Sequence, residues 1–476
     1  MGVQITRRQF IKGVGVVGVG LIAARVIRDV RGRDYDPQRT QNYFSSINPP
    51  QNTSELPNII LILVDDLGYG DIGAFGSQVI HTPHLDQMAA EGVRLTNFHA
   101  AAPVCSPSRA GLLTGRYPIR THISLPLYPT GHPMQLFLSA IDRYRFDVNG
   151  IPEDEALLPE ILSRRGYHTG MVGKWHLGDR SGHIPNDRGF DSFYGVLYSN
   201  DVKPFALYRD REIVEASPVD QSTLTQKYTR EAIKFIEENR TKPFFLYLSH
   251  TAVHEPLFAS EQFRGSSQAG LYGDDVEEVD ASTGEILAKL QELGIDQNTL
   301  VIFTSDNGPW WQGSPGEYRG RKTNMMEGGS KVPFIARWPG KLTEGMTSDA
   351  LSVNFDILPT CLGIAGLALA DDRIIDGRDL MPLLQGDPTP PHDTFFYFDG
   401  PHLVAVQHKG WKYHRRHMSD NGGYPAFSQG PFLFNLSTDP SESYSLLESE
   451  PEMAKKLSGM LDEFDQEIDE NVRGWL

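Results

Sequence analysis

The chain has 476 residues, 39% of them hydrophobic and 22% charged, with a net charge of -17. That length supports a large core and points to two domains, while the acidic balance excludes a nucleic-acid binder, which needs a basic face to neutralise phosphates. Any positive charge serving an anionic ligand must therefore be local to its site.

The first 30 residues read as an export signal. Thr6 to Lys12, TRRQFIK, look like a twin-arginine motif, and the Gly/Val-rich run Gly13 to Ala24 that follows is too short and too glycine-rich for a membrane span. Cleavage between Ala23 and Val30, the twin-arginine translocase as a partner, and a periplasmic or extracellular destination are the expectations. Twin-arginine substrates fold before export, which accounts for an exported chain with only two cysteines, Cys105 and Cys361. No cysteine follows the run, so a lipid anchor is not expected. Residues 31–56 are polar, carry Pro49 and Pro50, and read as a linker.

From Pro57 the pattern changes. Asn58 to Val64, NIILILV, is a continuous apolar run of the kind buried on both faces of a sheet. Similar strands are expected at Tyr167–Val172, Phe244–Leu248, Leu300–Thr304 and Pro333–Trp338, with helices at His84–Glu91, Glu155–Arg164, Thr225–Asn239 and Asp274–Leu293. This alternation predicts an α/β domain over 57–390, a large mixed but mostly parallel sheet flanked by helices. Ligands in such sheets bind beyond the carboxyl ends of the strands. Those ends carry Asp65 and Asp66, Lys174 and His176, His250 and His254, and Asp306 and Asn307. Over 391–476 the chain reads as short strands at Thr394–Phe398, His402–Gln407, Trp411–His414 and Pro431–Leu436, then a polar helix from Pro451 to Glu470.

Val104 to Arg116, VCSPSRAGLLTGR, is the densest motif. A lone Cys-Ser-Pro is ordinarily a buried thiol, but Cys105, Pro107, Ser108, Arg109, Leu113, Thr114, Gly115 and Arg116 together resemble the signature of the type I sulfatases of the alkaline phosphatase superfamily. In that family the cysteine is oxidised to formylglycine, which implies a formylglycine-generating maturation enzyme as a partner. A hydrated aldehyde offers two hydroxyls on one carbon, one to attack sulfur and one to expel sulfate, so a hard step is divided into two. Pro107 disfavours helix at Ser106, and Ala110 to Leu113 suit a helix, which would place residue 105 at a positive helix N-terminus. Arg109, one turn in, offers a fixed fork of donors for the diol.

Four further motifs extend the resemblance. DDLGYGD after the first strand and SDNG at Ser305 to Gly308 match the family's metal pairs, which assigns Asp65, Asp66, Asp306 and Asn307, with the modified Cys105, to a divalent metal. These hard oxygen donors suit Ca2+, with Mg2+ second; as a bare pattern, adjacent aspartates at a strand end are a solvated turn. GKWHLG supplies Lys174 and His176 for the sulfate and the modified residue. His254, before Glu255-Pro256, matches the family histidine that serves the leaving oxygen, with His250 as the competitor four residues earlier. Lys322 precedes a Glu-Gly-Gly turn as in the family, although Thr323, Asn324, Met325 and Met326 replace the usual small or hydroxyl residues. Ser199, in LYSND, is a further polar candidate.

The resemblance implies hydrolysis of aryl or carbohydrate sulfate esters. A phosphate or phosphonate ester hydrolase on the same fold and a non-catalytic sulfoglycan-binding protein are the alternatives. His408, Lys409, Lys412, His414, Arg415, Arg416 and His417 concentrate positive charge, as a second anion site or as a solvated strand and turn. Leu125 to Gly150, with Tyr128, Phe137 and Tyr144, is expected to shape the leaving-group pocket.

Overall fold

A computed structural model describes residues 37–49, 56–135, 150–416 and 430–476. The expected signal, 1–30, lies outside the described residues, as do Phe137, Tyr144 and His417.

Within the expected linker, Pro37–Ser46 is a helix. Its neighbouring aromatics Tyr43 and Phe44 are buried in the main core, and the Arg164 guanidinium lies 3.6 Å from the Phe44 ring centre. A segment this polar gains its helix from tertiary packing rather than from propensity.

In chain order the expected α/β domain forms β1 Asn58–Val64, β2 Val93–Leu95, β3 Phe98–His99, β4 His168–Lys174, β5 Ser192–Val196, β6 Leu207–Arg209, β7 Glu212–Glu215, β8 Phe244–Ser249, β9 Thr299–Ser305, β10 Phe334–Arg337, β11 Met346–Ser348 and β12 Ser352–Val353. Ten of these make one sheet in the order β11-β2-β10-β9-β1-β8-β4-β5-β6-β7, and β3 pairs with β12. The block β9-β1-β8-β4-β5 is parallel, and β10, β6 and β7 run antiparallel to their neighbours. The expected mixed, mostly parallel sheet is therefore present, β10 where a strand was expected and the short antiparallel strands β2, β6 and β7 where the sequence signalled none.

Every residue of β1 is buried. Ile59, Leu61 and Leu63 join one core and Ile60, Ile62 and Val64 the other, the alternation that a strand buried on both faces imposes. Register aligns the strand ends: Leu63 pairs with Ser249 and Thr304, Val64 with Ser305, and Gly173 with Ser249. The carboxyl ends of β1, β4, β8 and β9 consequently lie along one edge, with Asp65 and Asp306 directly beyond β1 and β9 and Lys174 closing β4.

Beyond residue 390, β13 Thr394–Asp399, β14 His402–His408, β15 Trp411–His414 and β16 Phe432–Asn435 form an antiparallel sheet. The helix Pro451–Glu470 covers it with Leu457, Leu461 and Ile468. The basic run there is not an open anion site among the described residues. Lys412 and His414 are fully buried, Arg415 pairs with Asp462 and Asp465, and Lys409 pairs with Asp393.

Candidate active site

Cys105 opens a helix, Cys105–Thr114, in which every residue is buried. Ser106 lies inside this helix, against the expectation from Pro107. A proline in the first turn lacks only an N–H that has no intrahelical acceptor, so the helix tolerates it there. Gly115 ends the helix at φ 71°, where it donates to Gly111 O, a left-handed cap that glycine adopts without strain.

The strand ends bring the candidates around Cys105. Its Sγ lies 3.3 Å from Asp65 Oδ1 and 3.3 Å from Lys322 Nζ. Lys322 donates to both oxygens of Asp66, at 2.6 and 2.8 Å. Lys174 pairs with Asp65 and donates to Ser199 Oγ at 3.2 Å. Arg109 donates to Asp306 Oδ2 through Nε and Nη2, at 3.0 and 2.8 Å, and through Nη1 to Lys174 O and Ser249 Oγ, at 2.8 and 2.6 Å. Three carboxylates thus face three fixed cations.

Electrostatics follow from this crowding. Burial would raise Asp65, but Lys174, His254, Arg109 and Lys322 hold it well below the usual carboxylate range. Asp306 is pushed up to about 6, first by burial and then by the charge of Asp65. Burial works against the Lys322 charge, yet Asp66, Cys105, Asp65 and Asp306 keep it firmly protonated.

The same carboxylates fit a divalent cation. One oxygen each from Asp65, Asp66 and Asp306 lies with Cys105 Sγ inside a sphere of mutual separations within 4.8 Å. Asn307 donates to Asp66 Oδ1 at 2.7 Å, while its own Oδ1 is buried with no hydrogen-bond partner. An orphaned amide oxygen beside three clustered carboxylates is a donor set for a hard cation.

Two histidines complete the site. His176 Nε2 lies 2.9 Å from Leu127 O; since a carbonyl only accepts, Nε2 carries the proton, and Nδ1 is left buried without a partner. Burial, then Lys174 and Arg109, keeps this ring neutral. His254 Nδ1 is 2.9 Å from Asn200 Oδ1. The Asn200 amide is oriented by donating to His254 O and Pro256 O, both at 3.1 Å, so Nδ1–H is the donor to Asn200. His254 Nε2 then faces Ser199 Oγ at 3.3 Å and Asp66 Oδ2 at 3.7 Å. His250 lies elsewhere, buried with both ring nitrogens unpartnered and its ring 6.3 Å from that of Tyr228. It is a core residue.

A cavity of about 570 Å³ opens above Cys105. Tyr128, Asp201, Glu255 and Trp310 line it together with Lys322 and His176. Asn200, Ser249, Asp201, Glu255 and Trp310 were not singled out from sequence. Ser249 is the residue directly after the expected strand Phe244–Leu248, so the strand-end rule would have reached it; Asn200 adjoins Ser199 but no expected strand end pointed to it.

The sulfatase family model matches residues 57–367. The chain belongs to the sulfatase family. A second model, the C-terminal region of N-sulphoglucosamine sulphohydrolase, matches residues 316–469. Rat N-acetylgalactosamine-6-sulfatase is 41% identical over 438 residues, 82% of this chain and 81% of the relative. Human steryl-sulfatase is 34% identical, over 86% of this chain and 88% of the relative. A solved structure from work on glycosaminoglycan metabolism by Bacteroides thetaiotaomicron superposes with a TM-score of 0.76 at 27% identity, covering 87% of this chain and 100% of that one. The sulfatase is accordingly a sulfuric ester hydrolase, with the alkaline-phosphatase-like sheet and C-terminal subdomain of its family.

Proposed function

We propose that this sulfatase hydrolyses the sulfate ester of a sugar, using a formylglycine made from Cys105 and a divalent cation. The carrying observation is the ring of Asp65, Asp66, Asp306, Arg109, Lys174 and Lys322 around residue 105. When present, formylglycine supplies a gem-diol, one hydroxyl to attack sulfur and the other to expel sulfate. Asp65, Asp66, Asp306 and Asn307 would hold the cation, which supplies Lewis acidity toward a sulfate oxygen. Calcium suits this set better than magnesium, because the protein itself provides the oxygen donors and magnesium tends to retain water.

The chain's own groups divide the remaining work. Lys174 and Lys322 offset negative charge on the sulfate and on residue 105, and Arg109 fixes Asp306. Ser199 lies between Lys174 and His254, placed to contact a sulfate oxygen. With Nδ1–H held by Asn200, His254 Nε2 takes a proton from solvent and, in that imidazolium form, passes it to the sugar oxygen released when its bond to sulfur breaks. Nδ1 of His176, with Nε2–H committed to Leu127 O, is the acceptor available to the diol when sulfate departs.

The cavity lining supports a sugar. Trp310 and Tyr128, the latter stacked on His132 at 5.1 Å, line the cavity as aromatic surface for a pyranose ring, and Asp201 and Glu255 are acceptors for its hydroxyls. The N-acetylgalactosamine-6-sulfatase relatives favour a sulfated hexosamine or hexose. Export by the twin-arginine route to the periplasm or beyond belongs to the same proposal, on Arg7 and Arg8; replacing both with Lys should retain the protein in the cytoplasm.

Mass spectrometry of the peptide spanning Cys105, from protein made beside a formylglycine-generating enzyme, tests the chemistry. An aldehyde is expected, and Cys105→Ala should fold yet show no turnover of a sulfated monosaccharide. An unmodified thiol in fully active protein would refute the proposal.

A further inference from the structure

The buried charges of the C-terminal subdomain converge on the loop that carries Lys322. Lys412 Nζ donates to Glu327 Oε1 and to Met325 O, each at 2.8 Å, and lies 3.2 Å from Glu442 Oε1. The Tyr397 hydroxyl is 2.8 Å from the same Glu327 oxygen. Glu442 in turn accepts from Glu327 N at 2.6 Å through Oε2, from Arg319 Nη1 at 3.1 Å through its carbonyl, and sits 2.8 Å from His414 Nε2 through Oε1. Lys412, Glu327, Glu442 and His414 are all fully buried. Burying so many charges is costly, and apolar replacements of similar volume are often as stable. What an ionic cluster adds is a fixed geometry.

The geometry fixed here is that of residues 319–331. On the nucleophile side Lys322 N donates to Pro309 O at 2.9 Å and Thr323 N to Pro103 O at 2.8 Å. Thr323 then adopts φ 73°, a left-handed conformation that a β-branched residue holds only when its surroundings impose it. Two residues on, Met325 gives its carbonyl to Lys412, and beyond Met326 comes Glu327. The loop is pinned at both ends with its strain between the pins, one residue from the ammonium that touches Cys105 and Asp66.

We propose that Lys412 is a positioning residue for catalysis: through Met325 O and Glu327 it holds the Thr323 turn, and so sets the Lys322 ammonium against residue 105 and Asp66. The C-terminal subdomain thereby takes part in turnover without touching substrate. This rests on the reading of Lys322 as the group that stabilises charge at residue 105.

The test uses full-length matured protein, a chromogenic aryl sulfate, and aldehyde content at residue 105 measured in each variant. Lys412→Met should lower kcat ten- to a hundredfold, the order seen when a catalytic group shifts by about 1 Å, with KM within about twofold. Adding Thr323→Gly removes the left-handed penalty and should recover about fivefold or more of the lost kcat. A residue that only stabilises the fold would lower the melting temperature without that rescue. Parental kcat in folded Lys412→Met, or a loss that Thr323→Gly does not relieve, overturns the proposal. If Lys412→Met does not fold, Tyr397→Phe replaces it, with a loss of about two- to fivefold and the same rescue expected; parental kcat there overturns it equally. Lys322→Ala separates the two levels. If that variant keeps parental kcat, the reading of Lys322 fails; if it is inactive while Lys412→Met is not, only the positioning role fails.

Discussion

Replacing Arg109 with Lys isolates geometry from charge. The guanidinium makes four bonds in two directions, two to Asp306 Oδ2 and two from Nη1 to Lys174 O and Ser249 Oγ. An ammonium presents its donors from one atom and can serve one direction only. Ser249 Oγ already donates to Lys174 O at 2.9 Å, so that pair survives alone, whereas an unpaired Asp306 does not. The new lysine therefore goes to Asp306, and the two Nη1 bonds are lost. At about 1.5 kcal/mol for each bond from a charged donor, the variant should lose about 3 kcal/mol of stability. Asp306, no longer held by a two-pronged contact, should shift within the metal-binding set, and kcat/KM should fall about a hundredfold. The assay pairs urea unfolding, read as a midpoint shift at constant slope, with turnover of an aryl sulfate on protein of known aldehyde content. A midpoint change worth less than about 1 kcal/mol together with kcat/KM within about fivefold of the parent would refute the argument.

Glu155 receives Arg116 on both oxygens at 2.8 Å and Arg473 at 2.9 Å. Burial opposes its charge, but Arg116, Arg473 and Arg373 hold its pKa down at about 2. Because that value lies below the ordinary 4.5, its stabilisation is complete above about pH 4.5 and is lost as pH falls toward 2. Glu155→Gln, which leaves buried Arg116 without its paired carboxylate while Arg473 and Arg373 keep Asp154 and Asp372, should cost about 3 kcal/mol in thermal unfolding at pH 7 and flatten that acid limb. His250 costs stability in acid for a different reason. Burial lowers it to about 4, so the unfolded chain takes up the proton first and stability falls from pH 6.5 to 4; His250→Phe should remove this slope and leave kcat unchanged. Trp310→Ala should raise KM for a sulfated monosaccharide about tenfold with a smaller change in kcat, and equal loss in both would place Trp310 in the chemistry instead. Chelation should lower the melting temperature and abolish turnover, with both restored by Ca2+.

Legibility in this chain tracks how local the physics is. β1 was readable to the residue because a strand buried on both faces has no polar position, and the parallel order then places Asp65, Lys174 and Asp306 on one edge by a general rule. The choice of His254 over His250 rests on the resemblance alone; the strand-end rule would have taken His250, which directly follows β8 but lies in the core beside Tyr228. The helix Pro37–Ser46 was not readable. Its composition is that of a linker, and only the packing of Tyr43 and Phe44 on distant elements orders it.

The basic run near residue 412 failed for a related reason that carries further. Charge counted along the sequence cannot distinguish a solvated strand from one whose lysine is buried, because the deciding partner, Glu327, lies 85 residues away. The departure of Thr323 to Met326 from the usual family spelling and the basic run are two ends of one arrangement. Met325 and Met326 are buried, which draws the loop toward the subdomain, and a cation on β15 meets the Met325 carbonyl that this path brings inward. A loop that had kept small residues here would have less apolar surface to seat and less need of Lys412. Exchanging Thr323–Met326 for small or hydroxyl residues should therefore weaken the dependence of kcat on Lys412, so that the Lys412→Met loss shrinks in the exchanged background. Equal losses in both backgrounds would mean that the two features arose independently.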